Sequence, residues 1–87
     1  MGQNTTHLFD IDEFNAEFVR DTLQEVASAL EERGYDPVNQ MVGYLLSGDP
    51  GYISSHKEAR NKMTRLDRAK VIEVLLKEFQ KDRQCDI

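Results

Sequence analysis

GYDPVNQMVGYLLSGDPGYI, residues 34–53, decides the fold because it fences one short helix between two sets of backbone stops. Gly34 can take the left-handed conformation that ends a preceding helix, Asp36 can cap a new one, and Pro37 suits its first position, where a missing N–H costs nothing. Gly48 supplies the same stop at the other end, and Pro50 cannot continue a helix. The punctuation therefore predicts a helix from Pro37 to about Ser47. At about 100° per residue, Val38, Met41, Val42, Tyr44, Leu45 and Leu46 cover an arc of roughly 200°, wider than the apolar stripe of an ordinary surface helix. Such a helix needs cover on two sides. Gly43 at its middle costs about 1 kcal/mol relative to Ala. It marks either the close approach of another backbone, for which a partner subunit is one source, or a position that simply tolerates Gly.

Working outward toward the N-terminus, Val19, Leu23, Val26, Ala27 and Leu30 fall within an arc of about 100°. They predict an amphipathic helix that starts between Asp12 and Asn15 and reaches Arg33 before the Gly34 stop. Its acids Glu17, Asp21, Glu25, Glu31 and Glu32 read as a solvated face. Phe14 and Phe18 lie off the stripe and are placed to staple the preceding arm or touch a partner. Residues 1–11 have no helical period and read as an extended arm anchored by Leu8, Phe9 and Ile11, with Thr5 and Thr6 in accessible backbone ahead of that anchor.

Toward the C-terminus, SGDPGYI reads as a turn, with Tyr52 and Ile53 folding back over the central helix. It lacks the spacing and the preceding strand of a phosphate-binding loop. Ser55 with Glu58 spells a capping box for a short third helix anchored by Ala59 and Met63, and Thr64 with Asp67 spells another for a last helix to about Arg83. Ala69, Ile72, Leu75, Leu76 and Phe79 make the core stripe expected of that last helix. Leu66, Val71 and Val74 fall on other faces, where a monomeric helix would carry polar residues. The expected architecture is all-α: about four helices over residues 12–83, an N-terminal arm over 1–11 and a frayed tail over 84–87.

An 87-residue chain is one small domain that hides only about 60–65% of its unfolded surface, so association would help it. Its single Cys85 cannot form an internal disulfide, and no Cys/His cluster could seat a structural zinc. The surplus of apolar residues predicts an intertwined or face-packed homodimer, with Gly43, Leu46, Leu66, Val71 and Val74 as interface candidates. No membrane span or signal sequence is legible, which points to a cytoplasmic protein.

The net charge of −5 is unevenly spread. Arg20 and Arg33 stand against ten acids in residues 1–53, whereas six bases stand against Glu58 and Asp67 in residues 54–70. Lys57, Arg60, Lys62, Arg65 and Arg68 thus form a basic segment suited to a phosphate or a protein partner. A small nucleic-acid-binding module using residues 57–70 is the alternative, although the acidic total and the lack of interleaved aromatics weigh against it. His7 and His56 are too isolated to pair as ligands or to act as a base with an orienting acid. No nucleophile with an adjacent base, no metal spacing and no paired carboxylates are evident, so neither an enzyme nor a cofactor is expected.

The signatures Gly34-Tyr35-Asp36-Pro37, Asn39-Gln40, Val42-Gly43-Tyr44, Ser47-Gly48-Asp49-Pro50 and Ala59-Arg60-Asn61 resemble, almost position by position, the IreB/ReoM-like family of small bacterial proteins, long catalogued as uncharacterised. The resemblance covers nearly the whole chain. It implies an all-helical, homodimeric cytoplasmic regulator of Gram-positive bacteria that is a substrate of a membrane PASTA-type Ser/Thr kinase and its partner phosphatase. It also implies a link to peptidoglycan synthesis and cephalosporin tolerance, through a downstream protein of the cell-wall pathway. By spacing back from Gly34, one phosphorylated threonine of the family falls on Thr6. A second falls on Gln3 here, with Thr5 as its nearest substitute.

Overall fold

The computed structural model describes residues 11–85, with side chains from 15 to 82. Helix α1 spans Ile11–Glu32, α2 spans Pro37–Ser47, α3 spans Ala59–Thr64 and α4 spans Arg68–Cys85, with 3-10 turns at Pro50–Tyr52 and His56–Glu58 between α2 and α3. There is no strand among the described residues.

The joints around α2 form as their local chemistry dictates. Gly34 takes φ +83, donates to Glu31 O at 2.9 Å, and lets Tyr35 N–H reach back to Leu30 O at 3.0 Å, the paired closure that satisfies the last carbonyls of α1. Asp36 Oδ1 then accepts from Val38 N–H at 3.0 Å and Asn39 N–H at 3.4 Å, capping α2 ahead of Pro37. At its end Gly48 takes φ 77 and donates to Tyr44 O. Asp49 repeats the device on a smaller scale, accepting from Gly51 N–H at 2.8 Å.

Helix α1 is the spine. Val26, Ala29 and Leu30 pack with Tyr44 of α2, Ile53 of the connecting loop, and Ala59 and Met63 of α3; Leu30, Ile53, Met63 and Val26 are fully buried. Hiding such a side chain contributes about 1.5–3 kcal/mol, so these four dominate the stability of this end. The other end packs Val19 against Leu66, Val71 and Val74. Along α1 the partners run in reverse order, since Lys57 meets Glu32 and Lys62 meets Glu25. The segment from the second 3-10 turn into α3 therefore lies antiparallel to the spine. Ile53 is held by two carbonyl contacts, Arg60 Nε–H to Ile53 O and Gln40 Nε2–H to Tyr52 O, both at 2.9 Å.

Four expectations are corrected. The α1 stripe is rotated slightly: Thr22 and Ala29 are buried, while Leu23 and Ala27 are only half-buried at the edge, because α2 and α3 cover the spine from two sides. Neither capping box forms. Ser55 makes no capping bond, and Glu58 takes φ 63 instead of a helical value. Thr64 ends α3, its hydroxyl donating to Asn61 O at 3.3 Å, while Val71 N–H donates to Asp67 O in the first turn of α4. The largest correction concerns α4. Val71 and Val74 face inward with Leu66, whereas Ile72, Leu75, Leu76 and Phe79, expected in the core, are exposed. A helix with two apolar stripes can bury either one, and here Val71 and Val74 are the pair that packs with Val19 of α1 and Leu66.

Candidate interaction surface

Placing Leu66, Val71 and Val74 inside the chain removes them as interface candidates, since side chains at 9%, 1% and 2% exposure have little surface left for a partner. Gly43 also has an internal explanation. A Cβ there would stand 2.8 Å from Tyr52 Cζ, so the close approach that the glycine permits is made by the Tyr52 ring of the same chain. Leu46 keeps its candidacy, at 81% exposure.

The apolar surplus is real but lies on other faces. On α2, Val38, Val42 and Leu46 recur every fourth residue and form an outward row; on α4, Ile72, Leu76 and Phe79 form another. Leu75 joins the two, since it lines one apolar cleft with Leu23 and Ala27 of α1 and Val38, Met41 and Val42 of α2. Scattered apolar residues are normal on a surface, whereas a connected row across two helices is the usual mark of a protein contact. Phe18 is also exposed.

The basic segment is spread out and largely engaged. Lys57 Nζ lies 3.1 Å from Glu32 Oε2 and Lys62 Nζ 3.1 Å from Glu25 Oε1, both acids of α1. Arg60 is spent on Ile53 O, and Arg68 Nη1–H donates to Leu45 O at 3.1 Å, close over Gly48. Arg65 is exposed at the α3–α4 corner. These pairings break up the continuous cationic stripe on which phosphate-backbone binding depends.

His56, isolated in sequence, is paired in space. Its Nε2 lies 2.7 Å from Glu32 Oε1, and with Lys57 on the other oxygen it holds the Glu32 carboxyl below the ordinary carboxylate range, the His56 hydrogen bond being the larger cause. Lys77 and Lys70 do the same for Glu73 on α4. No signal in the sequence marks Glu32 as the partner of His56, because 24 positions separate them. Arg20 and Glu78, 2.7 Å apart, tie α1 to α4 in the same unforeseeable way. Among the described residues no group of His, Cys, Asp and Glu could hold a metal ion, and no helix is long and apolar enough to cross a membrane.

Thr5, Thr6 and His7 lie outside the described residues. The sequence that carries them is nevertheless part of one recognisable unit: the family model of the IreB regulatory phosphoprotein matches residues 4–81, taking in both threonines and nearly all of the helical body. With the match extending over far more than half its length, this chain belongs to the IreB regulatory phosphoprotein family.

Proposed function

We propose that this protein is a non-enzymatic cytoplasmic regulator phosphorylated at Thr6, with Thr5 as the neighbouring site, by a membrane PASTA-type Ser/Thr kinase and reset by its cognate phosphatase. It acts through protein contacts to control peptidoglycan synthesis and, through that, tolerance of cephalosporins. The observation that carries this reading is the family match over residues 4–81, which includes the two threonines and the helical body in one unit. A phosphate adds about −1.5 to −2 charge to the acidic first half of the chain and offers oxygens to arginines. In this reading the basic segment of Lys57, Arg60, Lys62, Arg65 and Arg68, on this chain or on its partner, receives that phosphate or an acidic protein, with the newcomer displacing Glu32 from Lys57 and Glu25 from Lys62. Exposed ion pairs contribute only about 0–1 kcal/mol each, so the switch needs several of them or a partner that reads the phosphate.

The protein works as a homodimer in this reading, joined through the outward rows of α2 and α4. The connected apolar residues Val42, Leu46, Leu75, Leu76 and Phe79 support that choice.

Intact-mass analysis of the full chain incubated with the kinase tests the proposal. One phosphate should add to the wild type and none to Thr6→Ala with Thr5 also replaced. Affinity for the cell-wall pathway protein should then differ between the phosphorylated and untreated forms. Modification confined to other residues, or equal binding of both forms, would refute the switch.

A further inference from the structure

The corner between Ile53 and α3 departs from the conformation its own sequence favours. Ser55-His56-Lys57-Glu58 spells a capping box, in which Ser55 would cap a helix and Glu58 would reach back to the Ser55 N–H. Instead Ser55 makes no capping bond, and the Glu58 carboxylate accepts from Asn61 Nδ2 at 2.6 Å. Lys57 (φ 52, ψ 35) and Glu58 (φ 63, ψ 19) are both left-handed. Only a few per cent of non-glycine residues adopt that region, and two in succession need something outside the segment to hold them.

Glu32 supplies such a restraint from α1, beside the Asn61 bond to Glu58. It ends α1, whose last turn carries no base, so its carboxylate sits at the negative end of the helix dipole. His56 Nε2 hydrogen-bonds that carboxylate at 2.7 Å and Lys57 Nζ brings a positive charge to 3.1 Å, both from the left-handed corner. Ser54 Oγ, accepting from His56 N–H at 3.1 Å, steadies the approach. The core does not depend on any of this, because α3 is pinned by Ala59 and Met63, while residues 54–58 are all exposed or half-buried.

We propose that residues Ser55–Glu58 are a two-state latch: closed and left-handed on Glu32 as observed, or released into three further residues of α3 capped by Ser55. Release leaves Ile53 and Met63 in place. It changes the charge along the groove between α1 and α3, where Asp21, Glu25 and Glu32 face Lys57 and Lys62. In the closed state Lys57 neutralises Glu32; in the released state both charges are displayed separately, and an acidic group that captures Lys57 drives the opening. The latch does not rest on the regulatory reading above, and its test uses purified protein with neither kinase nor partner, so the two stand or fall separately.

The test is NMR of the full chain, reading carbon-13 shifts and one-bond Cα–Hα couplings at residues 56–58. The wild type should show left-handed values at Lys57 and Glu58. Glu32→Ala, which removes the exposed contacts to His56 and Lys57, should raise the released fraction roughly threefold to tenfold and move both residues toward right-handed helical values. Adding Ser55→Ala should take much of that shift back. Lys57→Gly with Glu58→Gly, which makes the left-handed corner inexpensive, should hold the closed geometry even beside Glu32→Ala. Wild-type couplings retained in Glu32→Ala, movement toward coil values, or a shift indifferent to Ser55→Ala would each overturn the latch.

Discussion

Replacing Gly43 by Ala should have opposite effects depending on what faces it. In the wild type the new methyl would stand 2.5 Å from Tyr52 Cδ1 and 2.8 Å from Cζ, too close for either ring atom to stay. Forcing the ring aside costs about 1–3 kcal/mol, as overpacking generally does, and it pulls on the loop that Gln40 fastens through Tyr52 O. Against this, Ala in mid-helix gains about 1 kcal/mol over Gly. The net should be destabilisation by about 1 kcal/mol, which in a domain of this size lowers Tm by about 4–8 °C. With Tyr52→Ala in place only the propensity gain remains, so Gly43→Ala should then stabilise by up to about 1 kcal/mol. The coupling between the two changes is thus about 2 kcal/mol. Urea unfolding of the four proteins at one fixed concentration measures it, the fixed concentration removing any contribution from association. Additive effects would refute the assignment of Gly43 to Tyr52. A cost that persists without the ring and vanishes on dilution would return Gly43 to a subunit interface.

Met63→Ala, at a fully buried position, should cost about 2–5 kcal/mol in the same assay. Leu76→Glu on the outward stripe of α4 should leave a monomer's unfolding free energy within about 0.5 kcal/mol while shifting sedimentation toward the monomer; a large loss of stability in the monomeric form would put Leu76 back in the core. Gly48→Ala should destabilise by about 1–2 kcal/mol, since φ 77 penalises a side chain and the Arg68 guanidinium lies within 3.0 Å of the new methyl. Stability should also fall in acid through Glu32. Its carboxyl titrates below the ordinary 4.5, so its contribution is complete above that value and is lost as pH drops through the lower folded one; Glu32→Gln should flatten this limb of the thermal-stability profile below pH 4.5. An identical acid limb in wild type and variant would show that His56 and Lys57 do not favour the charged form.

Much of this molecule was legible locally. Gly34, Asp36, Pro37 and Gly48 fix the bounds of α2, and Asp49 caps the turn after it, because each acts on backbone groups within a few residues of itself, and such bonds form in nearly any surroundings. Ala59 and Met63 could be named as anchors for the same reason, being the apolar residues of a short segment. The family signatures likewise sit in the chain as written.

The choice of face in α4 could not be read that way. Periodicity shows that Val71 and Val74 form one stripe and that Ile72, Leu75, Leu76 and Phe79 form another, but not which of them meets α1. The same holds for the unused box at Ser55, where the packing of α3 on the spine brings His56 and Lys57 against Glu32. Sequence by itself determined where the helices start and stop and how much apolar surface they carry, because capping and periodicity are short-range. Only the tertiary structure decided which surface is hidden, which glycine serves a ring and which lysine meets which acid, because those energies arise between residues that the chain holds far apart until it folds.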